Sequence, residues 1–477
     1  MDQKQVTPMN YHHFLIIFFP IQGHINPSLQ LAKNLVRNGA KVTLATTSRG
    51  LKQIKSLPTL KGLSYASFSA GQDDDESQFQ KDFLRYMADL RRIGPQSLTN
   101  LVQKFSADQE PVTLLVYSMF LPWVAVVARD LQVPSAFFSN QSATVWAIYH
   151  RFFKSQDGIH GDIFSLLPIE LLGLPLFSSS DIPSFLLPDN PVSGFMLPMM
   201  QEHIQVLEED PRSFVLVNTF EELEQESIKA IANFNAISVG PLIPSAFCDG
   251  SDLTDKSFGG DLFSKSEDYI QWLDSKPKSS VIYVSFGSLA VLKKEQKEEI
   301  LHALVESGRP FLWVLRSSNS EEEEEQVHKM IENGVKGDGI IVPWCSQVEV
   351  LSHQSIGCFV THCGWNSTLE SLVSEVPVVG CPQFSDQTTN AKMVEEVWGI
   401  GVRAKANGEN IIERGEIKKC LDIVMGDEDR GKRMRENAGK WRGLAIEAVK
   451  EGGSTHNNLK RLLEITMMDS NPSTHSL

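Results

Sequence analysis

Four residues stand where type and spacing permit chemistry: His24, His362, Ser367 and Glu370. Around His362 the order is an apolar run at 357–361, a glycine at Gly364, and then Asn366-Ser367 at the start of a helical pattern. A strand, a glycine turn and a helix N-terminus make an anion site, because the first-turn N–H groups lack helical partners and the helix dipole adds positive potential. The imidazole of His362, the amides of Asn366 and Ser367 and the Ser367 hydroxyl could together hold a phosphate. Glu370 lies about one turn after Ser367 and could accept hydrogen bonds from sugar hydroxyls of the same ligand. Taken alone the pattern is shared by many phosphate-binding folds, with structural helix capping as the plain alternative. His24 follows the carboxyl end of the first apolar run, 13–19, where open α/β sheets build their sites, and a neutral imidazole there could act as a general base.

The elements that must position these residues are strands buried on both faces. The run HFLIIFF at 13–19 predicts the first, and Asn26 with Pro27 predicts a capped helix beginning at Pro27, reaching Asn38 and stopping at Gly39. KVTLATT at 41–47 completes a βαβ unit, and further strands are expected at 113–117, 135–138 and 214–217. A second series is expected at 280–286, 311–315, 339–342, 357–361 and 377–380, each followed by a helical pattern. Between the halves, 245–266 has the Gly-, Ser- and Asp-rich composition of a linker. The fold class is therefore α/β with two Rossmann-like domains, 1–250 and 251–455, followed by a C-terminal helix and tail, 456–477, expected to pack back on the first domain. The acidic run Glu321 to Glu325 reads as a solvated loop and the tail 469–477 as frayed.

Composition narrows the function classes. A chain of 477 residues exceeds one core, which agrees with two domains. A formal net charge of -15 without a basic stripe argues against nucleic acid as a partner. The apolar run at 14–21 is too short for a membrane span and lacks the flanks of a secretory signal, so a cytosolic protein with no integral membrane segment is expected. Cys248, Cys345, Cys358, Cys363, Cys381 and Cys420 form no dense framework, which suits a reducing compartment. Cys358, His362, Cys363 and Cys381 lack paired metal-ligand spacing, and no metal is expected. A nicotinamide-dependent oxidoreductase would carry GxGxxG after the first strand; here Gly23 stands alone and is followed by a histidine.

Read with its flanks, the His362 segment is far more specific. Trp344-Cys345-Ser346-Gln347, then Thr361 to Glu370 (THCGWNSTLE), then Pro382-Gln383-Phe384-Ser385-Asp386-Gln387 resemble the secondary-product glycosyltransferase box of plant family-one UDP-glycosyltransferases. The segments 272–277, 280–288 and 20–27 are similar to the same family, so the resemblance covers essentially the whole chain. It implies a GT-B fold, with the UDP-sugar held mainly by the C-terminal domain and a small-molecule acceptor by the N-terminal one. It implies a metal-independent, inverting, monomeric enzyme with UDP-glucose as co-substrate and no other cofactor. Trp344 would stack on uracil, the Cys345 backbone would pair with the uracil edge, and Gln347 and Glu370 would bind ribose. Ser288, His362, Asn366 and Ser367 would hold the diphosphate. Trp365, Asp386 and Gln387 would contact the sugar, with Asn140 and Gln141 nearby, and the terminal Gln of the box points to glucose. His24 would be the catalytic base.

One position departs from the family pattern. Relatives often show YDxFLPW where this chain reads Tyr117-Ser118-Met119-Phe120-Leu121-Pro122-Trp123, so the acid that orients the histidine is replaced by Ser118. A serine can hydrogen-bond the imidazole but cannot offset an imidazolium with a full charge. That loss matters least for an acceptor already ionised at neutral pH, a carboxylic acid, and more for a phenol or an aliphatic alcohol. The same region and Gln141-Ser142-Ala143-Thr144 resemble the branch with anthocyanin 5-O-glucosyltransferases and glucose-ester-forming enzymes such as crocetin glucosyltransferase. The expected acceptor is thus a carboxylate or acidic phenol on a small lipophilic plant metabolite. The alternatives are a catalytically inactive nucleotide-sugar-binding protein, or a transferase using another UDP-sugar. The stretch 181–200, rich in Pro, Met, Leu and Phe, reads either as a plastic acceptor pocket or as a packed loop.

Overall fold

The computed structural model describes residues 12–54, 56–71, 83–154, 163, 167–262, 269–316 and 338–468. The readings made for 321–325 and 469–477 lie outside these residues.

Seven strands build the N-terminal sheet: β1 (His13–Ile17), β2 (Lys41–Thr47), β3 (Leu63–Phe68), β4 (Leu114–Ser118), β5 (Ser135–Ser139), β6 (Phe214–Val217) and β7 (Ala236–Ser238). Their order is β3-β2-β1-β4-β5-β6-β7, every pair parallel. β8 (Val281–Ser285), β9 (Phe311–Val314), β10 (Gly339–Val342), β11 (Ile356–Thr361), β12 (Val378–Gly380) and β13 (Gly401–Arg403) form the second sheet, again all parallel, in the order β10-β9-β8-β11-β12-β13. The continuous apolar runs have the cause expected of parallel strands. Leu15 and Ile17 enter the core on one face of β1 while Phe14 and Ile16 enter the core on the other. Each such fully buried side chain contributes roughly 1.5–3 kcal/mol.

Each sheet reverses its strand order at one place, β1 beside β4 and β8 beside β11. Loops leaving the carboxyl ends of strands at such a switch point diverge and leave a crevice. The first crevice receives His24 and Ser118, and the second receives Gly287 and His362.

One local expectation needs correction. The helix after β1 is Gln22–Arg37, beginning five residues before Pro27, with Ile21 rather than Asn26 in the capping position. Pro27 is tolerated inside it because the carbonyl it leaves without a helical donor, that of Gly23, is taken by two side-chain amides. Asn366 Nδ2 donates at 2.9 Å and Asn140 Nδ2 at 3.3 Å. Asn26 instead accepts from Gln22 Nε2 at 2.6 Å. The described part of the linker stretch 245–266 is held against this helix, where Asp255 pairs with Lys33 at 2.6 Å and Arg37 at 3.0 Å. At the far end the helix Ser454–Met468 returns to the N-terminal domain, placing Leu459, Leu462 and Leu463 in its core and Asn458 on the Ser238 carbonyl at 3.1 Å.

Candidate active site

A cleft with about 1500 Å³ of unfilled space, open mouth included, runs between the two switch points. His24 and, behind it, Ser118 supply one wall. The imidazole is buried, stacks on Phe120 at 5.3 Å between ring centres, and brings Nδ1 to 3.2 Å from Ser118 Oγ. Ser118 Oγ also accepts the Phe19 N–H at 3.2 Å. A hydroxyl can accept from Nδ1–H or donate to Nδ1, so it does not impose the tautomer that leaves Nε2 unprotonated toward the cleft, as a carboxylate would. Burial lowers the His24 pKa to about 3, with no carboxylate acting against it. The helix N-terminus beneath it also disfavours an imidazolium. His24 is a neutral and weak base.

The opposite wall is built on β8 and β11. Gly364 caps the helix Trp365–Val373 without a side-chain hydrogen bond, which leaves first-turn N–H groups facing the cleft for an anion. The His362 ring is held between two glycines: a Cβ on Gly364 would lie 2.5 Å from Nε2, and one on Gly287 would lie 2.8 Å from the same atom. Gly287 also has a φ of +73°, which favours glycine. Burial lowers the His362 pKa to about 4, partly opposed by a bond to the Ser285 backbone, so it too is neutral. Ser288 lies half-buried beside it on the cleft wall.

Farther along, Trp344 offers a half-buried indole to the cleft. The Cys345 side chain is buried, its Sγ 3.4 Å from Tyr283 Oη. Gln347 Nε2 donates to Ser367 Oγ at 2.8 Å and to Glu370 Oε2 at 2.7 Å, joining the residues expected to meet ribose and phosphate. Burial raises the Glu370 pKa to about 7 despite the Gln347 bond.

At the sugar end, Gln387 Oε1 accepts the N–H groups of Gln383 at 2.8 Å and Phe384 at 3.1 Å. Its NH₂ is then the group it can offer a ligand. Asp386 accepts from Asn390 Nδ2 at 2.7 Å, and burial raises its pKa. Gln141 Nε2 donates to Ser385 Oγ at 3.3 Å. Asn140 and Asn366 both line the cleft while spending an amide on Gly23, and each keeps a buried Oδ1 without a partner. Trp365 lines the cleft as well, with its indole buried and donating to the Asn218 carbonyl at 2.7 Å. Sequence reasoning did not single out Phe120, Gly287 or the Gly23 carbonyl. Gly287 stands in a quoted motif, whereas the Gly23 carbonyl carries no side-chain signal. Among the described residues no His, Cys, Asp and Glu side chains group to hold a metal.

An anion-binding helix terminus on one Rossmann-like domain, facing an unprotonated histidine on the other across a cleft, is the arrangement of a nucleotide-sugar-dependent glycosyltransferase with the GT-B fold. A family model described as UDP-glucoronosyl and UDP-glucosyl transferase matches residues 246–436. The crystal structure of Os79 from O. sativa in complex with UDP superposes with a TM-score of 0.84 at 34% identity, covering 94% of this chain and 100% of that one. Crocetin glucosyltransferase, chloroplastic, of Gardenia jasminoides is 48% identical over 95% of this chain and 97% of its own, and phloretin 4'-O-glucosyltransferase of Malus domestica is 50% identical over 96% and 98%. The chain belongs to the UDP-glycosyltransferase family and is an inverting enzyme of that family.

Proposed function

We propose that this enzyme transfers glucose from UDP-glucose to a carboxylate, or to an acidic phenol, of a small lipophilic plant metabolite. The observation that carries the proposal is the weak base: His24 is backed by a hydroxyl at 3.2 Å, and burial holds its pKa near 3. An acceptor already ionised at neutral pH needs no proton removed. Its oxygen attacks the anomeric carbon, the bond from that carbon to the β-phosphate oxygen breaks, UDP leaves with the electron pair, and the configuration inverts. The acceptor end of the cleft, with Met119, Phe120, Phe185 and Met196, suits an apolar scaffold. Trp344 would hold uracil, Gln347 and Glu370 the ribose, and His362 with the first helical turn the diphosphate. Asp386 and Gln387 would meet the glucose hydroxyls.

An acceptor panel under UDP-glucose, monitored by UDP release and product mass, tests this reading. Carboxylates and acidic phenols should lead, and a strong preference for aliphatic alcohols would overturn it. The missing acid behind His24 also favours a second reading, a nucleotide-sugar-binding protein without turnover, which predicts UDP-glucose binding and no product with any acceptor. No cofactor beyond the donor, a monomer and the cytosol complete the proposal. Among the described residues no helix is long and apolar enough to cross a membrane, and all six cysteines are buried thiols.

A further inference from the structure

The turn that carries the sugar-facing side chains is held by a residue of the opposite domain. Ser184 and Ser385 exchange two hydrogen bonds: the Ser184 N–H donates to the Ser385 carbonyl at 2.8 Å, and the Ser385 N–H donates to Ser184 Oγ at 2.7 Å. Ser385 has a φ of 63°, a conformation that costs a non-glycine residue energy unless its surroundings impose it. Asp386 and Gln387 follow directly, so the Ser385 backbone sets how both approach the cleft. The neighbouring contacts work in the same direction: Thr388 and Thr389 hydroxyls each donate at 2.7 Å to the carbonyls of Ile182 and Asp181. Ser184 is fixed in turn by Asn190, whose Nδ2 reaches its hydroxyl at 3.1 Å. Phe185, the next residue, lines the cleft toward the acceptor.

We infer that Ser184 is a positioning residue for donor-sugar recognition: it holds Ser385 in its left-handed conformation and thereby aims Asp386 and Gln387 at the sugar. Discrimination among UDP-sugars then depends on an acceptor-side loop as well as on the C-terminal domain. The inference rests on the reading of Asp386 and Gln387 as glucose contacts. Because Ser184 touches no part of the nucleotide wall, its loss should alter sugar discrimination and leave UDP affinity in place.

The experiment compares wild type, Ser184→Ala, Ser184→Cys and Ser184→Thr with one acceptor. It measures kcat/KM for UDP-glucose and UDP-galactose, and Kd for UDP by calorimetry. Ser184→Ala strands the buried Ser385 N–H and should lower glucose-over-galactose discrimination about tenfold, the usual scale for one such bond. The UDP Kd should change less than about twofold, and Ser184→Thr should restore the wild-type ratio. Ser184→Cys keeps the size with a weaker acceptor and should fall between, so the inference stays testable if the alanine variant does not fold. An unchanged ratio in both weakened variants overturns it, as does a loss of UDP affinity that parallels the loss of turnover. A wild type that prefers another UDP-sugar overturns the glucose reading alone, and Ser184 is then judged on discrimination for that sugar.

Discussion

At the level of single residues, the cleft holds groups whose ionisation is set by burial. His24 is the clearest, and its Ser118 partner yields the first prediction. Ser118→Asp should place a carboxylate beside Nδ1, where Ser118 Oγ now lies at 3.2 Å, able to accept from both Nδ1–H and the Phe19 N–H that Ser118 now takes. A neighbouring negative charge raises a histidine pKa by about 1–3 units, so the acid limb of kcat/KM for a phenol should move to higher pH. Transfer to the phenol should accelerate by about tenfold or more, while transfer to a carboxylate changes little. Equal acceleration of both would remove the charge argument. Glu370 supplies the second. Its folded pKa, raised to about 7, exceeds the unfolded value, so the folded state binds the extra proton and stability is lost as pH rises through about 7. Glu370→Gln keeps the bond to Gln347 and should raise the melting temperature of the ligand-free protein at pH 8, with little effect at pH 4. In return, UDP-glucose binding by calorimetry, which should strengthen with pH around 7 in the wild type, should become weaker and flat with pH in the variant. These residue types were legible in the sequence because chemistry resides in side chains. The bond that anchors the Trp365 indole was not, since its partner is a backbone carbonyl nearly 150 positions away, at Asn218.

The elements were legible in proportion to their burial. Central strands such as β1, β4 and β8 are buried on both faces and read as unbroken apolar runs. Missed were β3, β7 and β13, all at sheet edges: β3 is only partly covered and carries Ser, Tyr and Ala, and the other two are three residues long. The start of the first helix was misplaced because proline normally marks the first turn, and nothing local reveals that Asn140 and Asn366 satisfy the carbonyl it frees. That arrangement predicts the effect of Pro27→Ala. An N–H at 27 would claim the Gly23 carbonyl in an ordinary helical bond, so the helix should be no less stable by thermal melting. Asn140 and Asn366 would lose their shared acceptor, one residue from His24, and because Asn366 also stands in the helical turn read as holding the diphosphate, kcat should fall severalfold and UDP affinity should weaken with it. A drop in melting temperature with kcat unchanged would mean that the proline is there only for packing.

Across the whole molecule, the two domains are joined by more than the chain passing between them. One core cluster runs from Leu15 and Phe137 in the first domain through Trp365, Leu369 and Trp398 in the second. Beside it, Asp181 of the first domain sits between Arg403 at 2.8 Å and Lys392 at 3.3 Å of the second. Burial pushes the Asp181 carboxyl up, but bonds from Ser178 and Arg403 and the charge of Lys392 outweigh it and hold its pKa below the usual value. A depressed folded pKa means that the stabilisation is present above the unfolded value near 4 and is lost only as pH falls below it. The clasp is therefore intact at neutral pH. Among the described residues, Asp181→Ala leaves the nearly buried Lys392 with the exposed Glu396 at 3.0 Å as its one remaining ion-pair partner. Breaking a buried pair from one side typically costs about 3–5 kcal/mol. The variant should lose unfolding free energy of that order, measured by urea titration at pH 7, and the difference from wild type should shrink toward pH 3. Because the clasp lies beside the Ser184–Ser385 pairing and away from the nucleotide wall, UDP affinity should outlast turnover in this variant. Equal loss of both would show that the two domains respond to the break as one body.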